Sequence, residues 1–88
     1  RTMSGAFDKA LELLALRDHF PEELRRKLVQ RGFPGEEIKA TLERLKARRY
    51  LDEEALAFRF AELNAGRKGW GTRRLEVELR RRGVPREL

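Results

Sequence analysis

The chain has 88 residues, no cysteine, one histidine and a formal net charge of +6, with 41% charged and 40% hydrophobic residues. Such a length buries little more than one domain-sized core, and neither a disulfide nor a thiolate metal site can supplement it. A lone histidine removes the usual zinc and Ser/His/Asp constellations, and no apolar run approaches a membrane span or a signal-peptide pattern, so a soluble, cytoplasmic, non-enzymatic protein without a cofactor is expected.

Apolar residues recur at helical spacing throughout, and no stretch alternates like a strand. A first helix is expected over about residues 5–18, with Ser4 as N-cap and a seam of Phe7, Ala10, Leu11 and Leu14. Leu13 and Leu16 fall outside that seam, where they either pack under another helix or await a partner. The second helix, about 21–31, opens with Pro21 at a first-turn position and with Glu22 and Glu23 at its positive end. Leu24 and Leu28 form its inner face. Gly32 ends it as the left-handed C′ residue, and Phe33 at C″ closes over Leu28. The third helix, about 35–49, points Ile38, Leu42 and Leu45 inward. After the turn Tyr50-Leu51-Asp52, Asp52 caps a fourth helix over about 53–66 with Leu56, Phe60 and Leu63 as its seam. A glycine-bounded basic loop leads to a fifth helix from Thr72 to Arg82 that ends at Gly83, with Thr72 a candidate N-cap. Val84-Pro85 opens a further element.

The second half repeats the first at a shift of 51 residues: Leu24 lies over Leu75, Leu28 over Leu79, Gly32 over Gly83, Pro34 over Pro85 and Glu36 over Glu87. The cap recurs too, with Val84 placed to cover Leu79 as Phe33 covers Leu28. The unit is a three-helix module, one complete copy over 4–50 and most of another over 51–88. Stacked modules of this kind bury their apolar faces against neighbours and present one extended binding surface.

The basic charge is local. Residues 1–65 hold 13 Lys+Arg against 12 Asp+Glu, whereas residues 66–88 hold 8 against 3. This second stretch begins in GRKGWGTRRL, where the only tryptophan, Trp70, stands between Gly69 and Gly71 with Arg67, Lys68, Arg73 and Arg74 around it. Trp70 has two candidate roles: stacking or anchoring on a partner, or folding back over Phe60 or Leu63. With Leu75 and Leu79 inward, Arg73 and Arg80 share the outer face of the fifth helix, Arg74 and Arg81 form a second row, and Val77 lies between the rows. Guanidinium forks match phosphates and carboxylates alike, and Glu76 and Glu78 beside them favour a mixed or protein partner over bare DNA. Arg25 and Arg26 on the second helix join the candidate set, although Glu22 and Glu23 favour salt pairs along that helix. His19 reads as structural, and Asp52-Glu53-Glu54 as a cap with dipole carboxylates rather than a metal loop.

Three stretches in order, ELRRKLVQRGF, EEIKATLERLKARRYLDEEALAFRFAE and RKGWGTRRLEVELRRRGV, resemble the RecX family of RecA regulators over about residues 10–88. The resemblance implies an elongated, curved, all-α protein of tandem three-helix repeats with no catalytic activity. It implies binding in the helical groove of the RecA–single-stranded DNA filament, with filament growth and recombinase activity restrained. Neither a membrane nor a small-molecule substrate is expected as a partner. The family's common Ser before the second helix is replaced by Phe20, which leaves Asp18, His19 or water to cap it. Three repeats are usual in the family, so the resemblance also implies a short form or a fragment. The alternative reading is a general nucleic-acid-binding module that works through the basic C-terminal face. Base-specific readout is not expected there, because Gln30 and Asn64 are the only side-chain amides. An enzymatic reading lacks a paired acid and base, a phosphate loop and a metal cluster.

Overall fold

The computed structural model describes residues 5–86 and holds five helices and no strand among them: α1 Ala6–Leu16, α2 Pro21–Gln30, α3 Gly35–Ala47, α4 Glu53–Arg67 and α5 Thr72–Arg81. Helices α1, α2 and α3 pack on one another, and α4 packs on α5. The molecule is elongated, 48 × 23 × 21 Å along its principal axes.

The first core joins Ala6, Ala10, Leu13, Leu24, Leu28, Ile38, Leu45 and Leu51, with Phe7, Leu11, Leu14, Phe33 and Leu42 partly buried around it. Leu24, Leu28 and Leu45 are fully enclosed, each worth roughly 1.5–3 kcal/mol on transfer from water. Of the two alternatives open to Leu13, it takes the first and packs among the other helices. Ala6 and Ala10 let the neighbouring helices approach closely, and this turns the buried stripe of α1 onto residues 6, 10 and 13. Leu16 alone of that pair stays out, 80% exposed.

Capping is where local sequence and tertiary structure meet. Ser4 lies outside the described residues. Gly5 is the N-cap of α1 and has no capping side chain, and the Ala6 N–H instead donates to the carboxylate of Glu37 on α3 at 2.8 Å. Phe20 caps α2 without a side-chain bond, so neither Asp18 nor His19 serves as the cap. Asp52 caps α4 as expected, accepting from the Ala55 N–H at 3.1 Å. Thr72 is the first helical residue of α5, and the N-cap is Gly71.

Both glycine ends form the same motif, 51 residues apart. The Gly32 N–H donates to the Val29 carbonyl at 2.9 Å and the Phe33 N–H to the Leu28 carbonyl at 3.3 Å. Gly83 and Val84 donate in turn to Arg80 and Leu79 at 2.9 and 3.0 Å. Gly32 and Gly83 have φ of 88° and 85°, the left-handed region that glycine enters without a Cβ penalty. A third such end closes α3 on a non-glycine residue: Arg49 has φ of 63°, and the Tyr50 N–H donates to the Leu45 carbonyl at 2.9 Å.

The second core is the joint between the modules. Phe20, from the α1–α2 connection, is buried against Leu56, Ala57 and Val84, with Phe60 and Leu79 partly buried beside them. Phe20 meets Phe60 edge-on at 5.8 Å. Gly83 abuts the first turn of α2, where an added Cβ would lie 2.8 Å from Glu22 Cγ and nearer still to its Cβ. Arg59 of α4 reaches back to Asp18 at 3.2 Å. The expected α4 seam is correspondingly rotated: Leu56 is buried, Phe60 half-buried and Leu63 49% exposed, while Ala57 and Asn64 turn inward. Asn64 is satisfied there, its amide donating to the Phe60 carbonyl at 2.8 Å.

Candidate functional site

Helix α5 has no fully buried residue; Leu75 and Leu79 are half-buried on its inner side. Its outer side carries a shallow depression bounded by Arg73, Glu76, Val77, Arg80 and Arg81, with Arg86 at the edge. Val77 is 49% exposed between these guanidiniums. Arg73 and Arg80, two turns apart on one face, form no ion pair among the described residues. Glu78 turns the other way. It binds Arg82 at 2.9 Å and Arg81 at 3.8 Å, and the hydrogen bond from Arg82, with the nearby arginine charges, holds its carboxyl below the usual range. Of the two acids expected to flank the stripe, Glu78 is therefore engaged on the inner side of α5, while Glu76 stays on the outer face beside Arg73 and Arg80.

Electrostatics makes the outer face of α5 unusual. Helices α2, α3 and α4 each place two glutamates in the first turn, where a carboxylate meets the positive end of the helix dipole. The first turn of α5 has no acid and instead holds Arg73 and Arg74. Two cations at that end cost about 0.3–1 kcal/mol each.

Arg74 does not form the second outward row with Arg81 that helical spacing suggests. Its guanidinium lies 4.1 Å over the ring of Trp70, and Lys68 approaches the same ring at 5.4 Å. Trp70 folds back edge-on to Phe60 at 6.0 Å and remains half-buried. The two N–H groups of Lys68 and Trp70 share the Asn64 carbonyl at 3.1 Å, and Gly69 between them has φ of 70°. The basic loop is thus a tight helix end whose tryptophan completes an aromatic row of Phe20, Phe60 and Trp70.

Arg25 and Arg26 lie apart from this face, on α2. Both bind Glu22, at 2.9 and 3.2 Å, and the Arg25 hydrogen bond is the main reason the Glu22 carboxyl titrates low. Arg26 also borders a groove between the modules, together with Arg67 and Arg81. Arg59, Arg82 and Arg86 join these surfaces without having been singled out in the sequence. Only Arg82 has a signal there, as the repeat partner of Arg31. His19 is structural. It is buried, with Nδ1 3.0 Å from the Arg17 carbonyl and Nε2 2.8 Å from Lys27 Nζ. An ammonium can only donate, so Nε2 accepts and the ring is neutral. No helix among the described residues is long and apolar enough to cross a membrane.

Comparison with known proteins agrees with this architecture. Sequence models of the first and second three-helix domains of RecX match residues 6–45 and 52–88. Proteins named "Regulatory protein RecX" are similar over most of the chain. The one from Pelodictyon phaeoclathratiforme is 38% identical over 80 residues, 91% of this chain and 50% of its own length. The one from Pseudomonas fluorescens is 44% identical over 77 residues, 88% of this chain and 49% of its own. The one from Salmonella newport is 42% identical over 90 residues, 91% and 54% of the two lengths. The chain thus spans about half the length of these curated relatives. No solved structure matches it. Two adjacent RecX domains in order, each containing one of the glycine-ended helices, place the chain in the RecX family.

Proposed function

We propose that the chain binds the RecA–single-stranded DNA filament through the outer face of α5 and restrains filament growth, without catalysing a reaction. Membership of a family whose members are named regulatory proteins supports the regulatory role. The observation that carries the site is Arg73 at the positive end of α5, aligned with Arg80 across the exposed Val77, neither of them in an ion pair among the described residues. A fold rarely keeps a cation at that position for its own stability, and local rules broken without an internal compensation point to a partner. Two guanidiniums around a small apolar residue fit a protein surface that offers carboxylates and a hydrophobic contact. The elongated shape suits a filament groove.

Co-sedimentation of the chain with RecA filaments assembled on single-stranded DNA with a nonhydrolysable nucleotide, beside bare DNA at the same near-physiological salt, tests this reading. Pelleting with the filament and not with bare DNA is expected. Arg73→Glu with Arg80→Glu should weaken it by about tenfold or more, the loss of roughly 1.4 kcal/mol. Equal pelleting with bare DNA, falling steeply with salt, would instead make α5 a phosphate-tracking surface.

A further inference from the structure

A second surface, independent of the filament reading, lies in the groove between the modules. It is lined along α4 by Leu56, Phe60 and Leu63, at helical spacing and increasingly exposed from the buried Leu56 to Leu63. Leu63 is 49% exposed, an aliphatic side chain among the groove's lining residues. The rim carries arginines from three helices: Arg26 on α2, Arg67 at the end of α4 and Arg81 at the end of α5.

These three guanidiniums are available in a way that the other arginines of the groove are not. Arg67 forms no ion pair among the described residues. Arg81 stands 3.8 Å from Glu78, which Arg82 already holds at 2.9 Å. Arg26 shares Glu22 with Arg25, whose Nε holds that carboxylate at 2.9 Å. Turning Arg26 or Arg81 toward an incoming anion therefore strands no carboxylate. Arg17 and Arg59, by contrast, are the sole ion-pair partners of Glu23 and Asp18 among the described residues.

We propose that this groove docks an acidic peptide segment of a partner protein, with an apolar side chain seated on Leu63 and flanking carboxylates taken by Arg26, Arg67 and Arg81. The chemistry favours a peptide over a nucleic-acid strand on two counts. Asp18, Glu23, Glu62 and Glu78 line the same groove, and a continuous row of phosphates running through it would pass close to them. A base would also need a free aromatic face, and Phe60 is already engaged by Phe20, Trp70 and the Arg82 guanidinium, the last 4.6 Å over the ring. An apolar floor with separated cations suits a short apolar segment flanked by acidic side chains.

The test is amide chemical-shift mapping of the isotopically labelled chain with a synthetic peptide, Glu-Glu-Leu-Phe-Glu-Glu. Shifts at Leu63, Arg67, Arg26 and Arg81 are expected. Affinity should fall about tenfold in the Arg26→Glu, Arg67→Glu double variant and stay unchanged in Arg73→Glu. Leu63→Ser, at a half-exposed site, should weaken binding while leaving the spectrum folded. A control peptide with serines in place of Leu-Phe should bind weakly. Comparable shifts at the same amides from an oligothymidylate of equal charge, equal binding by the serine peptide, or no shift at millimolar peptide would each overturn the proposal.

Discussion

Gly32 and Gly83 offer a matched pair for measuring what holds the two modules together. Both end a helix of the same design with nearly the same φ, 88° and 85°, yet their surroundings differ. A Cβ on Gly32 meets nothing within 4 Å, whereas one on Gly83 runs into Cβ and Cγ of Glu22. Gly32→Ala therefore pays only for a left-handed alanine, about 1–2 kcal/mol, less about 0.4–1 kcal/mol from a stiffer unfolded chain, a net loss near 1 kcal/mol. Gly83→Ala pays the same and also overpacks the joint. The colliding atoms sit at the root of the Glu22 side chain and cannot swing aside, so a further ~1–3 kcal/mol is expected. Urea titrations followed by far-ultraviolet circular dichroism and by Trp70 fluorescence give both losses. Adding Glu22→Gly removes the colliding Cβ, whereas Glu22→Ala keeps it. The glycine, which removes both colliding atoms, should show a larger favourable coupling to Gly83→Ala than the alanine, which removes only Cγ, in a double-mutant cycle. Equal losses for the two glycine variants, or rescue by Glu22→Ala as good as by Glu22→Gly, would refute a tight joint at this point.

Removing the α4 cap with Asp52→Ala should cost about 1 kcal/mol in the same titration, because the Ala55 N–H loses its acceptor. Arg49→Gly should stabilise the chain by roughly 0.5–1 kcal/mol, since it relieves the left-handed strain at φ 63° at the smaller entropic cost of glycine. Burial, and then the Arg17 and Lys27 charges, hold the His19 ring below its ordinary value of 6.5, against the Arg17 carbonyl and Glu23, which favour the proton. The unfolded chain therefore takes up the proton first. The stability contributed by neutral His19 is complete above about pH 6.5 and is lost as pH falls toward the lower folded value. Melting temperatures across pH 4.5–8 (a range of roughly the width needed to bracket a histidine) should fall on the acid side, and less so in Lys27→Met, which removes the facing ammonium.

What was legible in the sequence is what short-range chemistry controls. Pro21, Asp52, Gly32 and Gly83 mark helix ends through one residue's own conformational limits, and each stands where its chemistry puts it. The 51-residue repeat was visible for the same reason, because Leu24, Leu28 and Gly32 do the same local work as Leu75, Leu79 and Gly83. The misses, and the choice left open for Leu13, depend on partners far along the chain. Ala6 is capped by Glu37, 31 residues away. Leu13 is buried because two alanines bring the neighbouring helices close, which no tally of apolar spacing shows. Arg74 leaves the outward row because Trp70 folds back to meet it. The intermodule groove has no linear signature at all, since its rim is drawn from α2, α4 and α5.

The places where the repeat breaks divide structural residues from surface ones. Positions that face the inside of a module are kept in kind: Leu24 and Leu75, Leu28 and Leu79, Phe33 and Val84. Positions at the joint are not. Phe20, the buried plug, corresponds to Gly71, so the α4–α5 connection has no equivalent plug of its own. The residue before the plug, His19, corresponds to Trp70, the half-buried aromatic that Arg74 covers. Glu22 and Glu23, which serve the helix dipole and the ion pairs of α2, correspond to Arg73 and Arg74. One module thus uses the first turn of its second helix for its own stability, while its copy gives up that stabilisation, about 0.3–1 kcal/mol for each reversed charge. Arg74 recovers a similar amount by lying over Trp70, since an exposed cation–π contact is worth about 0.5–1 kcal/mol. Arg73 recovers nothing within the described residues. Its charge is therefore the strongest support for the proposed partner on α5, and it is the first side chain to reverse when that proposed surface is mapped.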